Sequence, residues 1–437
     1  MGNSAVLVVG GGIAGIQASL DLADRGLTVY LVEKSPSIGG RMAQLDKTFP
    51  TMDCSICILA PKMIECFRHS NIKLLICSEV KEVTGSAGNF KVKVLKNPRF
   101  VDTEKCTGCG ACTEKCPVKV PSEFDMGMGM RKAVYMPFPQ AVPRVTVIDK
   151  DNCLYFQKGV CKVCEKFCQV HAINFGQEPE EITLNVSSII LATGLELYDP
   201  KSISEYGYKR YKDVLLSLEF ERLINASGPT RGKLLRLSDN KHPRRIVFIQ
   251  CVGSRTQQKG FPYCSSVCCM YATKEAILIR EHEPECEVYI LYMDLRVFGK
   301  RFQEFVSRAR DEWGIKYVNG RVAVVIEDSA TKDILVRYEN ILEGKIAELQ
   351  ADLVVLCPAL IPREGNKFLA KILGLELDSF GFFKTKDPLL MSVETNVEGV
   401  VVCGYCQAPK DISESVTQAS AAAARAAEVA VSTVGRE

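Results

Sequence analysis

The sequence predicts an α/β protein built on two Rossmann-type parallel sheets, with a small cysteine-rich domain set into the first. Three observations carry that prediction. A strand, a glycine turn, a helix and a second strand ending in an acid open the chain over residues 6–33. Strand-like and helix-like patterns then alternate along most of its length, which points to parallel sheets with helices on both faces. Between residues 106 and 168, eight cysteines fall into two close-set runs.

In the opening unit, Val6–Val9 runs directly into Gly10-Gly11-Gly12-Ile13-Ala14-Gly15. A helix-periodic segment follows from Ile16 to about Arg25, and the strand Thr28–Val32 ends at Glu33. Gly10, Gly12 and Gly15 permit a tight turn, close approach to a pyrophosphate and close helix–strand packing. The helix N-terminus, with Ile13 and Ala14 in it, offers free N–H groups and a positive dipole end to phosphates. Glu33, about 20 residues past the glycines, is placed for the adenosine ribose hydroxyls, with Lys34 next to it. FAD is preferred to NAD because of three further segments. Gly39-Gly40-Arg41-Met42 stands where two-domain flavoproteins put a glycine turn and an arginine against the FAD phosphates. Ile189–Gly194 looks like the Ala192-Thr193-Gly194 strand end of the same proteins, and Gly399–Gly404 like their final flavin strand, followed by a helix from about Ile412. That strand usually ends Gly-Asp. Here Tyr405 follows Gly404, so the aspartate's contact must come from elsewhere, the backbone being one source.

The first cysteine run is Cys106-x2-Cys109-x2-Cys112-x3-Cys116, followed by Pro117, the bacterial ferredoxin pattern for a [4Fe–4S] cluster. The second, Cys153-x7-Cys161-x2-Cys164-x3-Cys168, stretches the first gap. In two-cluster ferredoxins each fourth cysteine ligates the other run's cluster. One cluster is therefore assigned to Cys106, Cys109, Cys112 and Cys168, the other to Cys153, Cys161, Cys164 and Cys116. Zinc knuckles pair two C-x2-C units instead. A third tetrad, Cys251-x12-Cys264-x3-Cys268-Cys269, matches no ordinary ferredoxin or zinc spacing. A cluster is the preferred reading there, with zinc or buried free thiols as alternatives.

At 437 residues the chain has room for about three domains. It is 47% hydrophobic and 24% charged, which excludes general disorder, and no apolar run approaches the ~20 residues of a membrane crossing. A net charge of +3 gives no reason to expect a nucleic-acid partner. Met1 leads straight into a strand without a signal peptide, and so many thiols suit a reducing, cytoplasmic setting.

The layout is that of a two-domain thioredoxin-reductase-like flavoprotein: a Rossmann-type FAD domain plus a degenerate nucleotide-binding domain, with an inserted two-cluster ferredoxin domain. Residues 1–98 are the first part of the FAD domain and 99–178 the insert, held in a hairpin of Phe90–Leu95 with Glu181–Val186. Residues 179–243 continue the FAD domain and supply a polar connector. Residues 244–358 are the degenerate domain, between strands Ile246–Gln250 and Ala351–Pro358, and 359–437 close the FAD domain. Where a nicotinamide turn would read G-x-G-x-x-G/A, this chain reads Gln250-Cys251-Val252-Gly253-Ser254-Arg255. The glycines that admit a pyrophosphate are missing, and the third tetrad starts at that point.

Three features, GGGIAGIQASLDLA, GGRMAQLDKTFPTMDCSICILAPKM and the third tetrad with its downstream Lys274, resemble the heterodisulfide reductase A-subunit family over nearly the whole chain. The resemblance implies an FAD and iron–sulfur electron-transfer protein whose flavin, in methanogens, bifurcates electrons between ferredoxin and the coenzyme M–coenzyme B disulfide. It implies three [4Fe–4S] clusters, the third on Cys251, Cys264, Cys268 and Cys269 near the isoalloxazine. It also places Lys274 by flavin N5, where an ammonium would stabilise anionic reduced flavin; a solvated helix lysine is the plainer reading. The sequence reads as a short form, without the methanogen subunits' N-terminal segment and C-terminal ferredoxin module. Short relatives occur in quinone-interacting oxidoreductase, tungsten benzoyl-CoA reductase and sulfur-oxidising complexes. The implied partners are electron-donor and catalytic acceptor subunits and ferredoxin, in a hetero-oligomer with a homodimeric core as one arrangement, soluble or peripheral to a membrane through those subunits.

Cys54/Cys57 and Cys403/Cys406 are C-x2-C pairs that suit a redox dithiol or a shared cluster; buried free thiols are the default, as for Cys66, Cys77, Cys286 and Cys357. The methionines at 126, 128, 130 and 136 are expected to wrap the two clusters, with a partner-facing role as the alternative, and His171 to lie at the surface rather than near a cluster. Two other functions stay open: a stand-alone flavin disulfide or NAD(P)H reductase, and an iron–sulfur scaffold with a vestigial flavin fold. The altered nicotinamide turn weighs against the first, the intact glycine motif against the second.

Overall fold

The computed structural model describes residues 5–432, so residues 1–4 and 433–437 of the first and last expected FAD segments lie outside the described residues. Two compact units emerge: Met1–Ala43 with Ile56–Leu195 and Pro362–Glu437, and Gln44–Ser55 with Glu196–Ile361.

The first unit carries a five-stranded sheet, all pairs parallel, in the order Val400–Val402, Ser188–Leu191, Ala5–Val9, Thr28–Val32, Ile72–Leu75. Ala5–Val9 is buried throughout, as a strand covered on both faces must be, and this is why it reads as an unbroken apolar run. Helix Ile13–Ala23 and helix Ile412–Ser432 share one apolar cluster with the sheet. The alanine-rich stretch of the second helix has a physical reason: Ala419, Ala422, Ala423, Ala426 and Ala430 form a buried stripe of small side chains at helical spacing. Close packing is extreme at the glycine turn. A Cβ on Gly15 would fall 1.8 Å from the Gly10 carbonyl oxygen, and Gly10 itself turns with φ +111°.

Strands Asn89–Lys96 and Glu180–Val186 pair antiparallel with Phe90 opposite Val186 and Leu95 opposite Glu181, the hairpin expected from the sequence. Between them lie short helices Ala111–Lys115, Leu154–Lys158 and Val163–Lys166 and two small antiparallel strand pairs. Their core mixes Phe100, Val134, Ile148 and Ile173 with Cys112, Cys116, Cys153 and Cys164. The expected methionine wrapping is corrected here. Met136 packs on the flavin-sheet cluster, Met126 offers its sulfur to Arg41 at 3.8 Å, and Met130 is 62% exposed. The aromatic rings of Phe100, Tyr155, Phe156 and Phe175 fill the space instead, with centroids of 4.4 Å for Phe100–Phe156 and 4.1 Å for Tyr155–Phe175. The insert is fastened to the flavin sheet by Val142, whose N–H donates to Ser37 Oγ at 2.9 Å and whose carbonyl accepts the Ile38 N–H at 3.1 Å.

The second unit holds a seven-stranded sheet in the order Val214–Leu216, Leu353–Pro358, Arg245–Val252, Glu287–Tyr292, Lys316–Glu327, Ile334–Asn340, Lys345–Ala351. Pairs are parallel as far as Lys316–Glu327 and antiparallel beyond it. Helix Cys268–His282 connects Arg245–Val252 to Glu287–Tyr292, and helix Phe302–Asp311 connects Glu287–Tyr292 to Lys316–Glu327. The stretch read as a polar connector is folded into this unit. It gives strand Val214–Leu216 and helix Ser217–Ile224, every residue of which is buried. Its charges look like a linker's but are satisfied internally. Glu219 accepts the Leu216 N–H at 2.8 Å, Tyr208 Oη at 3.0 Å and Lys209 Nζ at 2.7 Å.

Gly15→Val should destabilise the first unit by about 3 kcal/mol or more, since the clash is with backbone that no rotamer can relieve. Gly365→Ala, at the start of helix Gly365–Leu373 with nothing within 4 Å of the added carbon, should be neutral or slightly stabilising. Urea unfolding midpoints compare the two.

Candidate flavin and cluster sites

The residues assigned to a flavin site gather at the carboxyl edge of the five-stranded sheet. A Cβ at Gly12 would meet nothing within 4 Å, so the backbone there faces open space. Gly12 also caps helix Ile13–Ala23, whose first turn has no side-chain cap. Uncapped N–H groups beside open space form a cradle that fits a pyrophosphate. Glu33 accepts the Gly11 N–H at 2.6 Å and the Ser35 N–H at 2.7 Å, which pins its carboxylate beside the turn and leaves lone pairs for ribose hydroxyls. The Gly39 N–H donates to Gly11 O at 2.8 Å, and a Cβ on Gly40 would lie 2.9 Å from Gly12 Cα, so the second glycine pair leans on the first. Arg41 follows it and Met42 is buried in the core. Lys34 is 74% exposed and pairs with Glu79 at 3.5 Å.

From the neighbouring strands come Ala192, whose carbonyl a Gly10 Cβ would approach to 2.3 Å, and Gly404, whose Cβ would meet Ala14 at 3.0 Å. Thr193 Oγ1 donates to Asn366 Oδ1 at 2.8 Å, and Gly194 turns with φ +76°. Cys403 and Cys406 are free and fully buried. The Cys406 sulfur takes the N–H groups of Thr193 and Gly194, and its thiol donates to Cys403 O at 3.2 Å. Lys410 escaped the sequence reading. Its ammonium donates to Gly404 O at 3.2 Å, Ala408 O at 3.1 Å and Gln407 Oε1 at 2.9 Å, which uses all three protons. Burial holds its pKa below the ordinary lysine range, against the pull of Cys406 and Glu414.

Among the cysteines of the insert, sulfurs of the two runs act on one another without separating into two sets of four. Burial raises the Cys112 thiol, and the sulfurs that add to the rise are Cys106 and Cys168. Burial pushes Cys164 up to about 12, with Cys153, Cys112 and Cys116 adding to it. Thr146 Oγ1 lies 4.0 Å from Cys106 Sγ and 3.7 Å from Cys112 Sγ, and the Ala172 N–H donates to Cys168 Sγ at 3.2 Å. Cys109 is exposed, Cys161 is half-buried, and His171 is exposed. Among the described residues no three donor side chains converge as a mononuclear metal ion requires.

Cys251 sits on a β-bulge, where the register of Arg245–Val252 against Leu353–Pro358 shifts after Ile249, and has left-handed backbone at φ +59°. Cys268 and Cys269 open helix Cys268–His282, and Cys264 lies in the loop before it. The four sulfurs act on one another. Burial lifts Cys251 to about 11 with Cys269 and Cys264 adding, and raises Cys268 well above its ordinary value with Cys251, Cys269 and Cys264 adding. The Ser266 N–H donates to Cys264 Sγ at 3.3 Å and the Arg296 N–H to Cys269 Sγ at 3.5 Å. Over the altered turn, a Cβ on Gly253 would strike the Tyr198 ring at 2.4 Å, so that ring packs directly against the turn.

Lys274, on the same helix, is fully buried, which removes the solvated-lysine reading. Its ammonium is ion-paired with Glu221, whose other oxygen accepts the Asp46 N–H at 3.0 Å. Asp46 Oδ1 in turn accepts Asn225 Nδ2 at 2.9 Å. Burial draws the Lys274 pKa down, opposed by Glu275 and Asp46, and the Glu221 pair favours the charged form. The sequence reading missed Glu221 and Asp46. Glu221 sits in a helix buried on every side, where amphipathic periodicity gives no signal.

Comparison with known proteins extends these observations. The FAD dependent oxidoreductase family matches residues 5–55, the 4Fe-4S binding domain residues 99–122, and the pyridine nucleotide-disulphide oxidoreductase family residues 129–426. The chain is 54% identical over 417 residues, 95% of its length, to the iron-sulfur A-subunit of the CoB--CoM heterodisulfide reductase of Methanocaldococcus jannaschii. It is 54% identical over 421 residues, 96% of its length, to the A-subunit of the H(2):CoB-CoM heterodisulfide,ferredoxin reductase of Methanothermobacter marburgensis. It spans 63% of the length of each. Thioredoxin reductase of T. acidophilum has the same fold at a TM-score of 0.54 and 15% identity, with 98% of both chains covered. That of Lactococcus lactis gives 0.53 at 15% identity, again with 98% of both covered. The fold is thus thioredoxin-reductase-like, with a ferredoxin-type segment inside it, and the chain belongs to the heterodisulfide reductase A-subunit family of FAD-dependent pyridine nucleotide-disulphide oxidoreductases.

Proposed function

We propose that this chain is the electron-distributing subunit of a heterodisulfide-reductase-like complex, dividing or bifurcating electrons among a donor subunit, ferredoxin-type centres and a catalytic acceptor subunit. The observation that carries the reading is the exchange at the second unit's first turn, where cysteines stand in place of a nicotinamide-binding glycine loop. Bound FAD supplies a two-electron centre and each [4Fe–4S] cluster a one-electron centre. Gly10–Gly15, with Ile13 and Ala14, and Gly40–Met42 hold the FAD phosphates, Glu33 and Lys34 the adenosine end, and Ala192–Gly194 with Gly404 the flavin end. The crossed sets of the insert hold two clusters and Cys251, Cys264, Cys268 and Cys269 a third. The sulfur neighbours of Cys112 and Cys268 support these sets. As the family resemblance implies, Lys274, its ammonium oriented by Glu221, would supply positive charge to stabilise reduced flavin. Relatives named for a complex support partner subunits, and no helix among the described residues is long and apolar enough to cross a membrane.

Anaerobically purified protein should carry one FAD and about twelve iron atoms. A reproducible value near eight would remove the third cluster, and zinc near one per chain would name its replacement. NADH or NADPH should fail to bleach the flavin promptly at near-stoichiometric amounts; prompt bleaching would favour a stand-alone reductase.

Cys116→Ser should disturb the cluster of Cys153, Cys161 and Cys164, because its thiolate reaches across. Paramagnetic resonance damage confined to the cluster of Cys106, Cys109 and Cys112 would contradict the crossed assignment.

Cys268→Ser should abolish electron exchange between FAD and the insert while FAD stays bound, since the flavin cradle lies in the other unit. Unchanged transfer rates in a flavin-replete variant lacking the third cluster would sink that cluster as the flavin's outlet.

A further inference from the structure

One buried hydroxyl in the insert has only cysteine sulfur to bond to. Thr146 stands between the two cysteine runs in sequence and is 1% exposed. Its Oγ1 lies 3.7 Å from Cys112 Sγ and 4.0 Å from Cys106 Sγ, and it has no other hydrogen-bond partner among the described residues. The segment that carries it is held at two points. The buried Arg99 donates through Nε to Thr146 O at 2.9 Å and through Nη2 to Val145 O at 2.6 Å, so one guanidinium grips the peptide carbonyls on both sides of the Thr146 Cα. At Gly108, inside the first run, an added Cβ would lie 2.6 Å from Arg144 O, so the turn between Cys106 and Cys109 rests on the same segment.

We propose that the Thr146 hydroxyl is a hydrogen-bond donor to the [4Fe–4S] cluster that Cys106 and Cys112 help to hold, and that it makes the reduced form of that cluster more accessible. This rests on the cluster reading of the first run; Cys106 and Cys112 share a cluster whether or not the fourth ligands cross. As free thiols the two cysteines could give or take the bond. On iron they are thiolates without a proton, so only the hydroxyl can donate. An added electron increases the negative charge on sulfur, and hydrogen bonds to the sulfurs are among the factors that set a cluster's potential. A donor fixed beside them therefore stabilises the reduced state more than the oxidised one. Water does not take over the bond, since Thr146 and Cys112 are both buried. Arg99 is the positioning residue: its planar fork holds two carbonyls at once, and the β-branched Thr146 side chain has little freedom at χ1.

Midpoint potentials of the full chain, with all cofactors loaded, follow from paramagnetic resonance during a redox titration, with iron and flavin content read on the same samples. Cys109→Ser, which changes an exposed ligand of the first run, identifies the signal of this cluster. Thr146→Val keeps the branched shape and removes the hydroxyl. It should make reduction of that cluster about tenfold less favourable, a midpoint about 59 mV more negative, with the flavin and the other clusters unmoved. Thr146→Ser keeps the hydroxyl and should stay near wild type. An unchanged midpoint in Thr146→Val at wild-type iron content overturns the proposal, and so does a shift confined to another cluster. Where Thr146→Val loses iron, the pair Thr146→Ala and Thr146→Ser decides, because the two differ only by the hydroxyl: a more negative midpoint in Thr146→Ala supports the proposal and equal midpoints overturn it. A Cys109→Ser protein with every cluster signal unaltered overturns the cluster reading of the run and this proposal with it, whereas an altered cluster there beside an insensitive midpoint in Thr146→Val overturns this proposal alone.

Discussion

In a parallel sheet every strand delivers its carboxyl end to the same edge, so the loop leaving the first strand must share that edge with the loops beside it. Both units of this protein are organised by that constraint. In the first, strand Ala5–Val9 lies between Ser188–Leu191 and Thr28–Val32, and their ends bring Gly10, Ala192 and Glu33 together. In the second, strand Arg245–Val252 lies between Leu353–Pro358 and Glu287–Tyr292, and its end carries Cys251. The same position serves different chemistry because of what the loop permits. Three glycines leave one turn open at Gly12; Tyr198 closes the other at Gly253.

Charge is the costly element of both sites. A thiol buried as deeply as Cys268 or Cys164 resists ionisation, and the neighbouring sulfurs raise that resistance further. Such groups become thiolates only when a metal takes the proton's place. The buried Lys274 meets the same difficulty with a carboxylate partner, since an unpaired ammonium in that position would be expelled or deprotonated. Removing Glu221 alone should therefore harm the protein more than removing both partners together.

Much of this architecture is legible from residues that have few alternatives. Gly10, Gly12 and Gly15 can be read because a side chain at 15 would enter backbone, and C-x2-C-x2-C-x3-C because iron fixes ligand spacing. The Phe90–Leu95 hairpin can be read because alternation marks one buried face. Segments whose polar groups are satisfied by distant partners cannot be read this way. Residues 197–243 look like a connector, yet Glu219, Glu221 and Arg222 are inside the second unit, and only tertiary structure reveals their partners. The methionines of the insert were misplaced for a related reason. Composition says they are apolar and adaptable, and says nothing about which of two neighbouring cores they fill.

The second unit keeps one Rossmann feature even where it abandons the glycines. In a dinucleotide-binding domain the crossover helix after the first strand turns its N-terminal N–H groups and positive dipole end towards a diphosphate. Here that helix begins at Cys268 and Cys269, so the same field falls on two thiol sulfurs. The dipole is worth on the order of 1 kcal/mol, less than burial removes from a thiolate, so it cannot ionise them unaided. It acts in the right direction, however, and so does the Arg296 N–H on Cys269. On the cluster reading, an anion site was retained while its anion changed from a diphosphate to an iron–sulfur centre. On that reading a nicotinamide hydride donor would lose its seat in the second unit.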